Sequence, residues 1–380
     1  MRSLRRFGHM IRSQTVMRGI VSLMLLMVIG GCAEIAPSGK RSAASVPVVF
    51  PKPPDAPRLI YERTIYGSAD VEADSRNDAF RRYVTGETRS GTGLGKPYAV
   101  AVHRGRIFVT DTAERFVQVF DIPAGQYFTI GDSGAGQLAK PLGLDIDNNG
   151  HLYVADATER AVLVYDREGT FLRKIGGANL FDRLSSVTVN PEGTRIYAVD
   201  IGGVSSENHR VRVFDANTGK HLMDIGKRGT GAGEFNLPRD LAIGRDGRLY
   251  VVDGGNFRVQ VFNADGSYRE SFGSVGRQVG NFARPKEIAT DQEGNVYVVD
   301  AAFGNFQIFN ADGELLMFVG ERSEQDGPAK YMLPSGIAVD SDGRIYFVDQ
   351  WFRKIDVFRP YAMPADQGFA APPPAKATSR

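Results

Sequence analysis

An aspartate returns at near-regular intervals along this chain, and its spacing limits the fold more than any other feature. It closes a β-rich run at Asp111, Asp156, Asp200, Asp253, Asp300 and Asp349, at intervals of 45, 44, 53, 47 and 49 residues. An aromatic stands three positions before each: Phe108, Tyr153, Tyr197, Tyr250, Tyr297 and Tyr346. Proline opens five of the six copies, at Pro97, Pro141, Pro238, Pro285 and Pro334, with Leu184 in the third. Glycine closes five, at Gly131, Gly176, Gly226, Gly273 and Gly320. The fourth copy is the clearest. Its strand-like runs are Leu241–Ile243, Leu249–Val252, Val259–Phe262 and Ser267–Phe272, with Asp246-Gly247 and Asp265-Gly266 between them. Asp-Gly between β-rich runs favours tight hairpins, because Gly accepts the positive φ that such turns demand. Each copy therefore reads as a four-stranded antiparallel meander of roughly forty residues, which buries its faces only by stacking on its neighbours.

Six such units predict an all-β chain: a six-bladed β-propeller of four-stranded antiparallel blades. The sixth copy has only three strands, at Gly336–Asp340, Ile345–Asp349 and Ile355–Phe358, before Pro360 stops it. The missing strand lies at the other end. Leu59 to Gly67 (LIYERTIYG) reads like Thr170–Gly176 and ends in the same glycine. The N-terminal strand is thus expected to close the last blade and join the ends of the ring. The stretches Val252–Phe262 (VDGGNFRVQVF) and Val154–Tyr165 (VADATERAVLVY) resemble the NHL-repeat family of six-bladed β-propellers. The resemblance covers residues 58–360. It implies the fold and leaves function open, since this family includes binders, sensors, scaffolds and a few enzymes.

Outside the propeller the chain divides by composition. Residues 1–31 carry five arginines (Arg2, Arg5, Arg6, Arg12, Arg18) and no acid, and end in the apolar run Gly19–Ile29. That run is too short for an ordinary membrane span and matches an export signal. Ile29-Gly30-Gly31 before Cys32 resembles a bacterial lipobox, which implies that Cys32 becomes the lipid-bearing N-terminus of a lipoprotein in the cell envelope. Ala33 then favours the outer membrane by the same resemblance. The alternative is an ordinary signal with a chance cysteine, and Met10 or Met17 are alternative starts. Cys32 is the one cysteine, so no internal disulfide forms. Residues 32–57, rich in Pro, Ala and Ser, read as a tether. A short helix is expected at Asp78–Tyr83 within the polar link 68–96. Residues 361–380 read as a disordered tail.

Charge excludes one class of partner. The formal net charge is +2, so loss of the five arginines of residues 1–31 leaves −3. Such a chain has no overall cationic field for nucleic acid, although a local patch stays possible in principle.

A site should break the repeat, whereas the six aspartates, present in every blade, read as caps of the turns beyond them. An arginine four or five residues on (Arg115, Arg160, Arg258, Arg353, and Arg210 after the insertion 201–209) is expected to pair with its Asp. Two residues after each opening position stand Ala99, Gly143, Ser186, Asp240, Glu287 and Gly336. Asp240 and Glu287 break this small-residue series, and Arg239 and Lys286 precede them. These four are expected near the channel mouth, as a polar or cation-binding patch or as two ion pairs on a solvated rim. The second break is the sole tryptophan, Trp351, with Phe352 and Arg353, which suits a protein-interaction anchor or a filler beside the clasp. Phe257 and Phe303 occupy comparable loops and would extend an aromatic rim.

Catalytic signatures are missing. Related propellers such as amidating lyases and lactonases hold a channel metal, by resemblance, and the lyases use histidine ligands. Here His103, His151, His209 and His221 are spread over different elements, so no cofactor is assigned; a divalent cation on Asp240 and Glu287 is the residual possibility. Asp145-Ile-Asp147-Asn-Asn149-Gly150 mimics a calcium loop but lies between strands and reads as a hairpin turn. The expected function is a lipid-anchored, single-copy envelope propeller that binds a protein through its loop face. A metal-assisted hydrolase, lyase or lactonase-like enzyme at the channel, and a glycan binder, are the alternatives.

Overall fold

The second and third strands of each repeat are apolar on both faces, and strands of that kind must be covered on both sides. Leu249–Asp253 and Val296–Asp300, for example, are buried along their whole length. The cover comes from adjacent blades. In the computed structural model, which describes residues 47–72, 84–86, 90–203 and 205–371, six sheets stand around a central channel. Their inner strands are Pro97–His103, Pro141–Ile146, Leu184–Val189, Pro238–Ile243, Pro285–Thr290 and Pro334–Val339. Each packs against the next, and the sixth packs against the first. Six apolar clusters fill the six seams, such as Val199, Phe235, Leu241 and Phe262 between the third and fourth blades. The outermost strands alternate instead: Phe171–Gly176 and Tyr268–Phe272 are largely exposed.

The repeated residues have mechanical jobs. The tyrosine before the landmark Asp reaches the far end of its blade and donates its hydroxyl to a turn carboxylate. Tyr297 does so to Asp291 and Tyr346 to Asp340, each at 2.8 Å. The closing glycine meets two demands at once. Gly273 has φ 84°, and a Cβ there would collide with the Phe282 ring; only Gly fits both.

The clasp forms as expected. Leu59–Ile65 pairs antiparallel with Lys354–Pro360, from Leu59 opposite Pro360 to Ile65 opposite Ile355. Side chains lock it: Thr64 Oγ1 donates to Asp356 at 2.5 Å, and the fully buried Arg344 pairs with Glu62 at 2.9 Å. Lys354, also fully buried, pairs with Asp326 at 2.9 Å and Asp356 at 3.2 Å.

Two boundaries differ from expectation. The tether does not run free to residue 57. Val49–Phe50 pairs with Leu59–Ile60 as a fifth strand on the last blade, and the Phe50 ring packs edge-on against Phe358 with centroids 5.9 Å apart. Backbone hydrogen bonds, from the Arg58 N–H to the Phe50 carbonyl at 2.7 Å and from the Tyr61 N–H to the Val48 carbonyl at 2.9 Å, dock the segment together with its apolar side chains. The tail expected to be disordered from 361 is packed as far as 371. Asp342 accepts the Phe369 N–H at 2.6 Å, Arg63 donates to the Ala370 carbonyl at 3.0 Å, and Ala370 is buried. Backbone hydrogen bonds to buried groups of the clasp blade hold it, which composition does not reveal. The export segment with Cys32, the helix at Asp78–Tyr83 and residues 372–380 lie outside the described residues.

Candidate functional site: the loop-face mouth of the channel

The landmark aspartates, all fully buried, build the loop face. Asp111 accepts the N–H groups of Gly95 and Lys96 at 2.7 and 2.9 Å and those of Ala113 and Glu114 at 3.1 Å. Asp300 does the same for Ala283, Arg284, Ala302 and Phe303. One carboxylate thus staples the incoming blade-to-blade segment to the turn beyond the second strand. These aspartates are structural caps. Blade four differs: of these backbone N–H groups only that of Asn236 reaches the Asp253 carboxylate, which otherwise accepts from the Asn256, Arg258 and Gln260 side chains, while the Leu237 N–H goes to His209 Nδ1, at 3.1 Å. The insertion of blade three therefore supplies part of its neighbour's staple.

The arginines expected to pair with these aspartates divide by one position. Arg258 and Arg210 sit directly across from their Asp on the third strand and pair with it, at 2.9 and 3.4 Å. Arg115, Arg160 and Arg353 sit one residue earlier in the turn, with φ of 65°, 50° and 54°, and make no ion pair among the described residues. Phe257 and Gly304 hold the same left-handed position.

The mouth itself is asymmetric. On one side small residues are required, since a Cβ on Gly143 would collide with Ser186 Oγ and one on Gly336 would stand 2.8 Å from the Tyr98 carbonyl oxygen. On the other side stand Asp240 and Glu287, lining a cavity of about 470 Å³ between the inner strands. The two ion pairs on a solvated rim do not form. Neighbours on a strand point to opposite faces, so Asp240 and Glu287, each 6% exposed, turn inward while Arg239 stays exposed and Lys286 half-buried.

Electrostatics follow from this burial. Asp240 accepts from Ser186 Oγ at 2.5 Å and from the Ile288 N–H at 2.9 Å. Burial nonetheless raises its pKa to about 6. Burial, and then Asp240, hold Glu287 well above the usual carboxyl range. Burial lowers Lys286 to about 8; Arg284 and Arg239 add to this and Glu287 opposes it. The Lys286 ammonium donates to the Pro334 carbonyl at 3.3 Å and lies 5.6 Å from the Tyr98 ring centroid.

Above this acidic floor stands a feature that the sequence reading missed. Lys96, Lys140, Arg183, Arg239 and Arg284 are exposed and have no acidic partner among the described residues. Four of them directly precede an inner strand, where the staple fixes the backbone N–H of Lys96, Lys140, Arg183 and Arg284. The signal was available: a basic residue stands just before four of six inner strands.

Trp351 is 63% exposed and does not fill the seam beside the clasp. Its turn is held by Asp349, which accepts the N–H groups of Trp351 and Phe352 at 2.8 Å. Phe352, Phe257 and Phe303 are half-buried, so the expected aromatic rim reduces to one exposed ring. The four histidines do not converge. His151 faces Asp147, His209 is buried in the insertion, and His221 faces Asp224. Among the described residues no group of three or more His, Cys, Asp or Glu could hold a metal ion. The would-be calcium loop is a hairpin turn: Asp147 accepts the N–H groups of Asn149 and His151, while Asp145 bonds to Thr188 and Val189 of the next blade.

Comparison with known proteins agrees with the fold. Residues 64–176 match the family described as a 6-bladed beta-propeller, and residues 235–262 match the NHL repeat. A probable peptidyl-alpha-hydroxyglycine alpha-amidating lyase of Caenorhabditis elegans is 27% identical over 160 residues, 34% of this chain and 43% of the relative. The chain thus spans under half the length of that curated relative. A protein of unknown function from Bacteroides thetaiotaomicron superposes with a TM-score of 0.59 at 18% identity, over 80% of this chain and 76% of its own. A gluconolactonase from Xanthomonas campestris superposes with a TM-score of 0.55 at 16% identity, over 79% and 98%. At these identities the structural likeness is one of fold. Six closed blades make this chain a six-bladed β-propeller, and residues 235–262 carry an NHL repeat.

Proposed function

We propose that this chain is a binding module: a protein partner docks on the loop face, the turn at Trp351 anchors it, and a lipid on Cys32 tethers the propeller to the bacterial envelope. The carrying observation is the exposure of the sole tryptophan at 63% on a turn pinned by Asp349. A large aromatic on a pinned backbone offers much contact area on binding, at little cost in backbone entropy, as interface hot spots do. Exposed Arg353 beside it adds a charged donor. The tether rests on the sequence around Cys32. An enzymatic reading, suggested by the lyase and gluconolactonase likenesses, has less support, because the described histidines and carboxylates form no converging ligand set.

The test is recovery of partners from intact cells that carry the full chain. Trp351→Ala with Arg353→Ala should reduce cross-linked partner to background. Recovery equal to the unmodified chain would remove this turn from the site. In the same cells Cys32→Ser should leave the membrane fraction, and its retention there would sink the lipid tether.

A further inference from the structure

Four cations crowd one arc of the mouth. Arg239 lies within electrostatic reach of Arg183 and Arg284, and Lys286 within reach of Arg284 and Arg239. Like charges so placed raise one another's free energy. Other cations of this chain are matched with acids, as in Arg258 with Asp253, Arg212 with Asp224 and Lys354 with Asp356. These four form no ion pair among the described residues, although Glu287 and Asp349 lie within electrostatic reach of Lys286. The two nearest carboxyls, Asp240 and Glu287, face the channel.

Beneath the cations lies a second unmet demand. The Glu287 carboxyl is 6% exposed and lines the cavity, yet accepts no hydrogen bond from any described residue. Its oxygens open on the channel and can accept from a donor that enters it. The mouth therefore wants carboxylates on its rim and N–H donors at its floor. A polypeptide rich in Asp and Glu carries both. A nucleic acid carries an anion on every nucleotide and would set that charge against Asp240 and Glu287.

We infer that this arc, formed by Arg183, Arg239, Arg284 and Lys286 over Glu287, is a binding site for an acidic polypeptide segment. Guanidinium groups suit this ligand because their planar fork meets a carboxylate with two parallel hydrogen bonds. The inference rests on the loop-face reading above and supplies the partner's chemistry. The site continues toward the proposed anchor, since Asp349 at the base of the Trp351 turn acts on Lys286.

The test titrates the full chain with capped hexaglutamate, acetylated and amidated so that only side chains carry charge. Binding is followed by calorimetry and by the fluorescence of Trp351, the only tryptophan. Hexaglutamate should bind, more weakly as salt rises. Arg239→Gln with Arg284→Gln should weaken binding at least tenfold without shifting the melting temperature, because both side chains are exposed. Arg106→Gln, at the far end of the blades, should bind as the unmodified chain does. No binding to the unmodified chain, equal binding to the double variant, or tighter capture of a single-stranded oligonucleotide by the same arginines would overturn the inference. Partner capture that depends on Trp351, without any hexaglutamate binding, would overturn the acidic ligand and leave the loop-face reading standing. Hexaglutamate binding lost in the double variant but kept in Trp351→Ala would support the site and remove the anchor.

Discussion

The two ends of the propeller treat charge in opposite ways. At the end away from the channel mouth, the residue at or just before the start of the second strand is basic in four blades and ion-paired in three of them. Arg106 pairs with Asp121 at 2.7 Å, Arg248 with Asp246, and Arg344 with Glu62 at 2.9 Å. Turn carboxylates there are satisfied by their own backbone and by tyrosine hydroxyls. At the mouth most landmark carboxylates are taken up by backbone N–H groups; Arg210 and Arg258 reach theirs, whereas Lys96, Lys140, Arg183, Arg239 and Arg284 form no ion pair among the described residues. One end of each blade spends its polar groups on holding the fold. The other spends its acids on the fold and leaves several rim cations without an ion pair. Stability and binding should therefore be separable by mutation.

The largest expected effect is at the matched end. Arg344→Met strips Glu62 of its closest partner and should cost about 3–5 kcal/mol in stability, read from the denaturant midpoint. Hexaglutamate affinity should stay unchanged. A loss of affinity of similar size would show that the two ends are coupled.

Asp300→Ala comes next, and should blur the distinction. It leaves four backbone N–H groups without their acceptor and should cost about 2–4 kcal/mol. It also frees the backbone under Arg284, so hexaglutamate binding should weaken in a variant whose rim cations are all present. Stability lost with binding intact would mean that the staple does not set the rim.

The smallest effect concerns the floor. Burial raises the Glu287 pKa in the folded state, so this group contributes stability that is full below the ordinary carboxyl range and is lost as pH rises through the raised value. Glu287→Gln removes that loss. The variant should match the unmodified chain near pH 4 and be the more stable of the two at pH 8, read from the denaturant midpoint at each pH. A difference that does not change with pH would show that the carboxyl is matched by a partner.

Much of the architecture was legible because it is periodic. The Asp landmark, the aromatic three before it and the closing Gly each meet a local demand that recurs in every blade, so repetition displays them. The clasp was legible for the same reason: Leu59–Gly67 is a copy of a strand missing elsewhere. Val49–Phe50 and residues 361–371 were not, since each docks once, by a few contacts that no repeat advertises. At the site, Asp240 and Glu287 stood out as breaks in a small-residue series. Their burial was missed, because pairing each with its basic neighbour ignored the alternation of a strand. The rim cations come from blades about 45 residues apart, and only ring closure brings them together.

Thr64 and Asp356, 292 positions apart, meet in the last blade. A chain emerging from the ribosome or from a pore therefore carries its first long β-segment unmated until almost the whole polypeptide has followed. Final assembly must be late and slow for so long a loop. Loss of even the last two strands would leave that segment as an orphan edge, open to any extended peptide it encounters.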